Sequence, residues 1–463
     1  MGLRSVAPFT PPDKGAYHTV AVDLAVPVES YLDGPKLIEL ALEHGAQALH
    51  PGYGFLSENA EFCRECQAAG LEFIGPAPDA ITKMGDKLIS KGFMAEAGLP
   101  MVPSWSGDID DVKEGAETVG YPLLVKAASG GGGKGMSLVR EASELEEAVE
   151  RARGEALKAF GDGRVFLERF IEEPRHIEVQ IFGDKHGNAI CFGERECSLQ
   201  RRYQKIIEEA PSMAVSTELR RELVDAGIKA VKALDYTGAG TVEFILDRSG
   251  KFYFLEVNTR LQVEHPVTEF VYGVDLVALQ IAVAQGASLD LDKEFLEPRG
   301  WSIEVRVYAE DPDNNFMPSV GTLEVFSAPK GHSLRLDTGF RQGDEVSIHF
   351  DPMLAKLIAY GQTREDARRS LLRGLREFAV LGVTTNIPYL IRVLEHETFQ
   401  SGDFHTQFLE AHGELFEPRR TEHRNLAAAL AGAFSVRESS KISSSRTDLQ
   451  ETPWQLLGQW RQN

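Results

Sequence analysis

Residues 240–269 read GTVEFILDRSGKFYFLEVNTRLQVEHPVTE, and no other stretch restricts the fold as tightly. Two runs rich in Val, Phe, Ile and Tyr flank the turn Asp247–Gly250, the pattern of an antiparallel hairpin. Pairing Leu246 with Lys251 sets Glu243 opposite Phe254, and the two-residue period places Glu256 and Asn258 on that same face. Glu243 and Glu256 are then expected as diagonal neighbours. Two carboxylates 4 Å apart repel by roughly 1 kcal/mol in water and about 4 at an effective dielectric of 20, so a shared cation is the natural resolution. Oxygen ligands beside phosphate favour Mg²⁺ or Mn²⁺. The competing view, a solvated face of an edge hairpin, is disfavoured by the flanking Phe and Leu residues. Arg260, Gln262, Glu264 and His265 follow at once. An Arg can grip a small oxyanion with its planar fork while a neighbouring Glu takes its proton.

A second stretch asks for an anion. Residues 127–136, AASGGGGKGM, place four glycines before a lysine, directly after the strand pattern PLLVK. Without Cβ atoms the backbone N–H groups can turn toward a ligand, and phosphate suits the cation. It is not a P-loop, because Gly135 stands where the Mg²⁺-binding hydroxyl of G-x-x-x-x-G-K-[ST] belongs. A flexible surface hairpin is the bland alternative. Behind it, ELEEAVERARGEALKAF reads as a charged amphipathic helix. Further on, GERECSLQRRYQKIIEEAP brings Arg201, Arg202 and Lys205, although such a charge run is ordinarily a solvated face.

Helix, short strand and helix alternate over residues 35–70, and the strand FIGP follows. That is parallel α/β rhythm, with the loop PGYGFLSEN at a strand's C-terminal end, where such sheets bind ligands. VFLERFI, HIEVQIFG and NAICFGER are consecutive strands, so the middle of the chain turns to α+β. Residues 300–360 are strand-rich, 363–412 mostly helical, and SVRESSKISSSRTD reads as a linker. A chain of 463 residues is long enough for two to four structural units. Its net charge of −21 argues against a nucleic-acid partner. Nothing resembles a membrane span or a signal peptide. Cys63 and Cys66 form a C-x-x-C, but the surrounding helix pattern makes them two helical thiols, and Cys191 and Cys197 do not complete a disulfide framework.

MGDK at 84–87, KAASGGGGKGM at 126–136, ERFIEEPRHIEVQ at 168–180, ERECSLQRRYQKIIEEAPS at 194–212 and EVNTRLQVEHPVTE at 256–269 together resemble the ATP-grasp family of biotin carboxylases, over about residues 30–410. AEDPDNNFMPSVG and RQGDEVSIHFDPMLAKL are most similar to the α subunits of acyl-CoA carboxylases of the methylcrotonyl-, propionyl- and geranyl-CoA type. The resemblance implies a truncated Rossmann-like N-terminal domain at 1–75, an ATP-grasp domain at 76–290 with a glycine-rich lid at about 101–170, a C-terminal biotin carboxylase domain at 291–412, and a tail and linker at 413–463.

By the same resemblance Lys87 and Lys126 bind phosphate, with Gly131, Gly132 and Gly133 in the lid. Glu168 and His176 surround the adenine and ribose, with Gln200 beside them. Glu243 and Glu256 hold the metal, and Asn258 helps line that site. Lys205, Arg260, Gln262 and Val263 form the bicarbonate pocket, Glu264 is the general base, and Arg335 in SLRLDTG steadies the biotin enolate. The implied chemistry is carboxylation of biotin through carboxyphosphate, using ATP, bicarbonate and Mg²⁺ or Mn²⁺. Biotin arrives as substrate on a biotinyl carrier domain that this chain lacks, since no A-M-K-M occurs. A carboxyltransferase β subunit chooses the acyl-CoA. A homo-oligomer within a larger complex, in the cytoplasm or a mitochondrial matrix, is expected.

Three departures qualify the resemblance. The strand, ANRGEIA-like turn, helix and strand that usually open the family are expected to be missing. Tyr203 replaces the usual His of RRHQK, and the biotin attachment motif is absent. Two alternatives therefore stand beside it, another ATP-grasp ligase such as a carbamoyl-phosphate synthetase or peptide ligase, and a truncated non-catalytic assembly module.

Overall fold

Alternation within single strands organises the molecule, a computed structural model that describes residues 1–128, 136–202, 204–289 and 296–416. In the strand Arg175–Gly183 the residues Ile177, Val179 and Ile181 point to one face, with Glu178 and Gln180 on the other. In Trp301–Tyr308 the residues Ile303, Val305 and Val307 alternate with Glu304 and Arg306 in the same way. Both strands lie in one antiparallel sheet of eight, ordered Phe252–Asn258, Gly238–Leu246, Arg175–Gly183, Ala189–Arg201, Gln204–Ala210, Trp301–Tyr308, Met353–Gly361 and Leu334–Thr338. Gln204–Ala210 pairs directly with Trp301–Tyr308, Ile207 opposite Val305, so the two halves expected as separate domains share a continuous sheet.

The apolar face is covered by helices. Thr217–Leu234, capped by the Ser216 side chain, packs Leu223, Val224 and Val231 onto Ile177, Val179 and Phe244. Arg364–Glu377, opened by a reciprocal cap between Thr363 and Asp366, lays Leu371 and Leu375 against Val305 and Leu357. Each such side chain, fully removed from water, contributes roughly 1.5–3 kcal/mol. The polar face lies under the helix His265–Tyr272 and, beyond it, opens into a cleft.

A second antiparallel sheet, ordered Ser104–Trp105, Val165–Arg169, Leu123–Ala127 and Met136–Val139, is backed by the helices Val112–Val119 and Leu145–Phe160. It occupies the region expected for the lid. Gly131, Gly132 and Gly133 lie outside the described residues, as do Tyr203, residue 290 and the linker beyond residue 416.

At the start of the chain the short apolar runs Val6–Phe9 and Leu24–Pro27 pair in parallel around the helix Tyr17–Ala21. Ala48–Leu49 and Glu72–Phe73 make a second parallel pair, with the helices Gly34–Glu43 and Ala60–Ala68 packed on it. In the charged run that opens at Glu194, Glu194, Arg195 and Glu196 are buried within Ala189–Arg201, where each finds a counter-charge, whereas Arg202 is exposed. Cys63 and Cys66 are free helical thiols as expected, and burial pushes them up to about 12 and about 11.

Candidate active site

The polar face of the large sheet, the lid sheet and the segment around Thr406 enclose a cleft of about 520 Å³. Lys87, Lys126, Glu168, His176, Gln200, Lys205, Glu243, Glu256, Asn258, Arg260, Gln262, Val263 and Glu264 all line it. Residues separated by up to 177 positions in the chain are thereby gathered in one place, and only Arg335 of the described candidates is outside that lining.

The hairpin departs from the expected register. Leu246 pairs with Phe252 instead of Lys251, and a bulge at Leu255 then brings Glu243 directly opposite Glu256. An extra residue in one strand rotates the side chains that follow it, so Glu256 and Asn258 still face the cleft while Phe254 and Val257 enter the core. Glu243 is richly held. Its Oε1 accepts from Lys205 Nζ at 3.0 Å, Asn258 Nδ2 at 2.8 Å and Gln262 Nε2 at 2.9 Å, and its Oε2 lies 2.8 Å from His176 Nε2. Burial opposes its charge, but Lys205 and His176 outweigh burial and hold it well below the usual carboxylate range. Glu256 has no hydrogen-bond partner among the described residues, and burial, then the facing Glu243, pushes its carboxyl up. A half-satisfied pair of facing carboxylates is a donor set suited to a hard divalent cation.

Lys205 joins this pair to the next group. Its ammonium donates to Glu178 at 2.6 Å and to Glu264 at 2.7 Å besides Glu243, three carboxylates on one cation. Burial works against that charge, and Glu178, Glu243 and Glu264 more than offset it. Glu264 also accepts from Arg306 Nη2 at 3.0 Å. Burial alone would raise its carboxyl, but Lys205, Arg306 and Arg195 hold it far below the ordinary value. Arg260 donates Nε to Glu58 at 3.0 Å, which ties the loop PGYGFLSEN to the cleft as its position after a strand suggests. His265 is neutral: burial, then Lys356, pushes it down to about 3, and Nδ1 sits 2.8 Å from the Gln262 carbonyl.

Around the lid sheet, Glu168 contacts Lys126 through one carboxylate oxygen and Lys91 through the other. Burial, followed by Lys91 and Lys87, pushes Lys126 well down, and an anion set among the three lysines would relieve that crowding and favour the charged form. Gln200 donates to His176 Nδ1 at 2.6 Å. Arg201 pairs with Glu310 at 2.6 Å and lies 3.9 Å over the Phe316 ring, whereas Arg202 stays at the cleft and donates to Asn315 at 2.7 Å.

Sequence reasoning missed Arg195, Arg306, Glu178 and Lys91. Arg195 is fully buried and spends Nε on Glu178 at 2.5 Å, Nη1 on Gln180 and Thr268, and Nη2 on Thr241 and Gln262, fixing the floor beneath Lys205. The signal was available in charged residues alternating with β-branched ones, as in HIEVQ and SIEVRV, where the polar face cannot be solvent if a helix covers it. Arg335 is bound elsewhere, to Asp337 at 2.7 and 2.8 Å and to Glu269 at 2.7 Å, behind the segment whose Val263 carbonyl accepts from Lys356.

Among the described residues no single helix is long and apolar enough to cross a membrane. Three family models match in sequence: the biotin carboxylase N-terminal domain over residues 1–81, the carbamoyl-phosphate synthase L chain ATP-binding domain over 86–292, and the biotin carboxylase C-terminal domain over 304–411. Biotin carboxylase 1 of Bacillus subtilis is 45% identical over 422 residues, 89% of this chain and 94% of that protein. The mitochondrial methylcrotonoyl-CoA carboxylase α subunit of Dictyostelium discoideum is 45% identical over 100% of this chain, which spans 67% of it, and spans 65% of the Rattus norvegicus protein. The biotin carboxylase domain of Hydrogenobacter thermophilus 2-oxoglutarate carboxylase, a dimer solved with MgADP, ADP and bicarbonate, superposes with a TM-score of 0.87 at 43% identity, covering 90% of this chain and 94% of that one.

Proposed function

The chain belongs to the biotin carboxylase family, and on that premise we propose that it carboxylates biotin with ATP and bicarbonate, the first half-reaction of a biotin-dependent acyl-CoA carboxylase. One observation carries the proposal: Glu264 lies between Lys205 and Arg306, and Lys205 in turn reaches Glu243, whose facing partner Glu256 is unsatisfied.

Lys87 and Lys126 are assigned to the ATP phosphates, and Gly131, Gly132 and Gly133 are assigned to the same ligand by the family resemblance. Glu168, His176 and Gln200 are assigned to the nucleoside end. Glu243 and Glu256, with Asn258, would hold Mg²⁺ or Mn²⁺, which would supply neutralising charge to the phosphates. Bicarbonate is assigned to Lys205, Arg260, Gln262 and Val263. Glu264 takes its proton, and a bicarbonate oxygen bonds to the γ-phosphorus as the bond to ADP breaks. Cations that hold Glu264 ionised make it a weak base, so an anion that draws Lys205 to itself raises its proton affinity. Carboxyphosphate then yields CO₂ and phosphate. The phosphate accepts the ureido proton of biotin, and the enolate nitrogen bonds to CO₂. We assign the arginine that steadies the enolate to Arg335, which Asp337 and Glu269 hold in place, and give Arg306, which donates to Glu264, a supporting place beside the base. A closed cleft keeps carboxyphosphate from water.

The domain limits 1–75, 76–290 and 291–412 with a tail at 413–463, a biotinyl carrier domain and carboxyltransferase β subunit as partners, a homo-oligomeric state, and a cytoplasmic or mitochondrial matrix location are parts of the same proposal. The protein incubated with ATP, Mg²⁺, labelled bicarbonate and free biotin should release ADP and form carboxybiotin. ADP release that ignores biotin and leaves it unlabelled would overturn the assignment.

A further inference from the structure

We propose that Lys91 is a positioning residue for the nucleotide: by holding one oxygen of Glu168 it fixes that carboxylate, and with it Lys126, in register with Lys87. The inference rests on the cleft being an ATP site. Lys87 and Lys91 lie one turn apart on the helix Lys87–Glu96, whereas Lys126 and Glu168 belong to the lid sheet. Leu124 pairs with Glu168 and Lys126 with Phe166, so Lys126, Phe166 and Glu168 share one face of that sheet. Lys91 reaches across to this face. Its ammonium meets the second oxygen of Glu168 and lies 5.3 Å over the Phe166 ring. Its side chain is 11% exposed and outside the cleft lining, so it touches Glu168 and not a bound ligand.

The arithmetic of charge gives this contact its use. A buried carboxylate with Lys126 as its sole partner would neutralise the lysine, and a phosphate would have to break that pair to gain it. With Lys91 behind it, Glu168 keeps a partner when Lys126 turns to a phosphate, so no buried carboxylate is stranded. The same bond, with Arg164 Nη2 to Asp86 at 3.0 Å and the Lys87 N–H to the Ala128 carbonyl at 3.3 Å, fixes where the lid sheet stands relative to the helix that carries Lys87.

The test is MgADP binding by calorimetry together with steady-state ATP hydrolysis. Lys91→Met should weaken MgADP binding and raise KM for ATP about tenfold, with kcat and the KM for bicarbonate little changed. Lys91→Arg should restore nucleotide affinity. In a Glu168→Gln background, which removes the carboxylate and any stranded charge, Lys91→Met should have no further effect; this pair keeps the test open if the single variant folds poorly. Unchanged MgADP affinity in folded Lys91→Met, an equal rise in the bicarbonate KM, no rescue by Lys91→Arg, or full additivity with Glu168→Gln would overturn the inference. Failure of the unaltered protein to bind MgADP would instead overturn the nucleotide assignment beneath it.

Discussion

Replacing Arg306 with Met removes a cation from a site where the structure leaves little slack. Arg306 is 9% exposed, donates Nε to Glu208 at 2.6 Å and Nη2 to Glu264 at 3.0 Å, and has Lys356 as its strand partner. Breaking a buried pair by removing one partner typically costs 3–5 kcal/mol, because the other charge is stranded. Here relief is at hand: burial already pushes Glu208 up to about 7 against the pull of Arg306, so it can take a proton when the arginine goes. A loss of about 2–3 kcal/mol is therefore expected, below the 5–15 kcal/mol of a typical domain, and the variant should fold. Arg306 acts on Glu264, the base of the first step, so Arg306→Met should lower bicarbonate-dependent ADP release and carboxybiotin formation together. Arg335→Met is the contrast. Loss of a preorganised donor to developing negative charge costs roughly 10²–10³ in rate, and for Arg335→Met that drop is expected in carboxybiotin formation, with ADP release changed far less. Both variants are assayed for bicarbonate-dependent ADP release and for labelled carboxybiotin, with denaturation curves beside them. Equal losses of ADP release and carboxybiotin formation in Arg335→Met would refute the reasoning and remove the enolate from Arg335.

Glu256→Gln should leave folding intact and abolish bicarbonate-dependent ATP hydrolysis, since it halves the facing carboxylate pair; activity retained at saturating Mg²⁺ would remove the pair from the metal site. Glu304 is fully buried with both oxygens unpartnered among the described residues, and burial pushes its carboxyl well up although Lys356 and Arg306 pull down and Glu208 and Glu264 push further. Above about pH 4.3 the unfolded chain gives up this proton and the folded protein keeps it, so the group costs stability as pH rises toward its folded value, by at most about 1.4 kcal/mol per pH unit. Glu304→Gln should therefore gain in melting temperature relative to the unaltered protein between pH 5 and 8, and parallel curves across that range would refute a neutral Glu304.

Local features could be read from the chain alone. The runs around Asp247–Gly250 are a hairpin because β-branched and aromatic residues flank a turn, and Glu243, Glu256, Asn258 and Glu264 meet because a few residues of chain hold them together. The helix carrying Cys63 and Cys66 and the strand before the glycine run follow in the same way from short-range pattern. Features that depend on distant neighbours emerged only with the packed fold. A bulge at Leu255 made the two carboxylates direct partners, a detail set by how the hairpin packs and not by its period. Whether a charged strand face meets water depends on what covers it, and the helix His265–Tyr272 together with the cleft turned Glu178, Arg195, Glu208, Glu304 and Arg306 into buried partners. Glu168 likewise acquired Lys91, 77 positions away, only when the lid sheet came to rest on the helix Lys87–Glu96. Charge buried at long range is invisible to a local pattern, because the same alternation serves an exposed strand equally well.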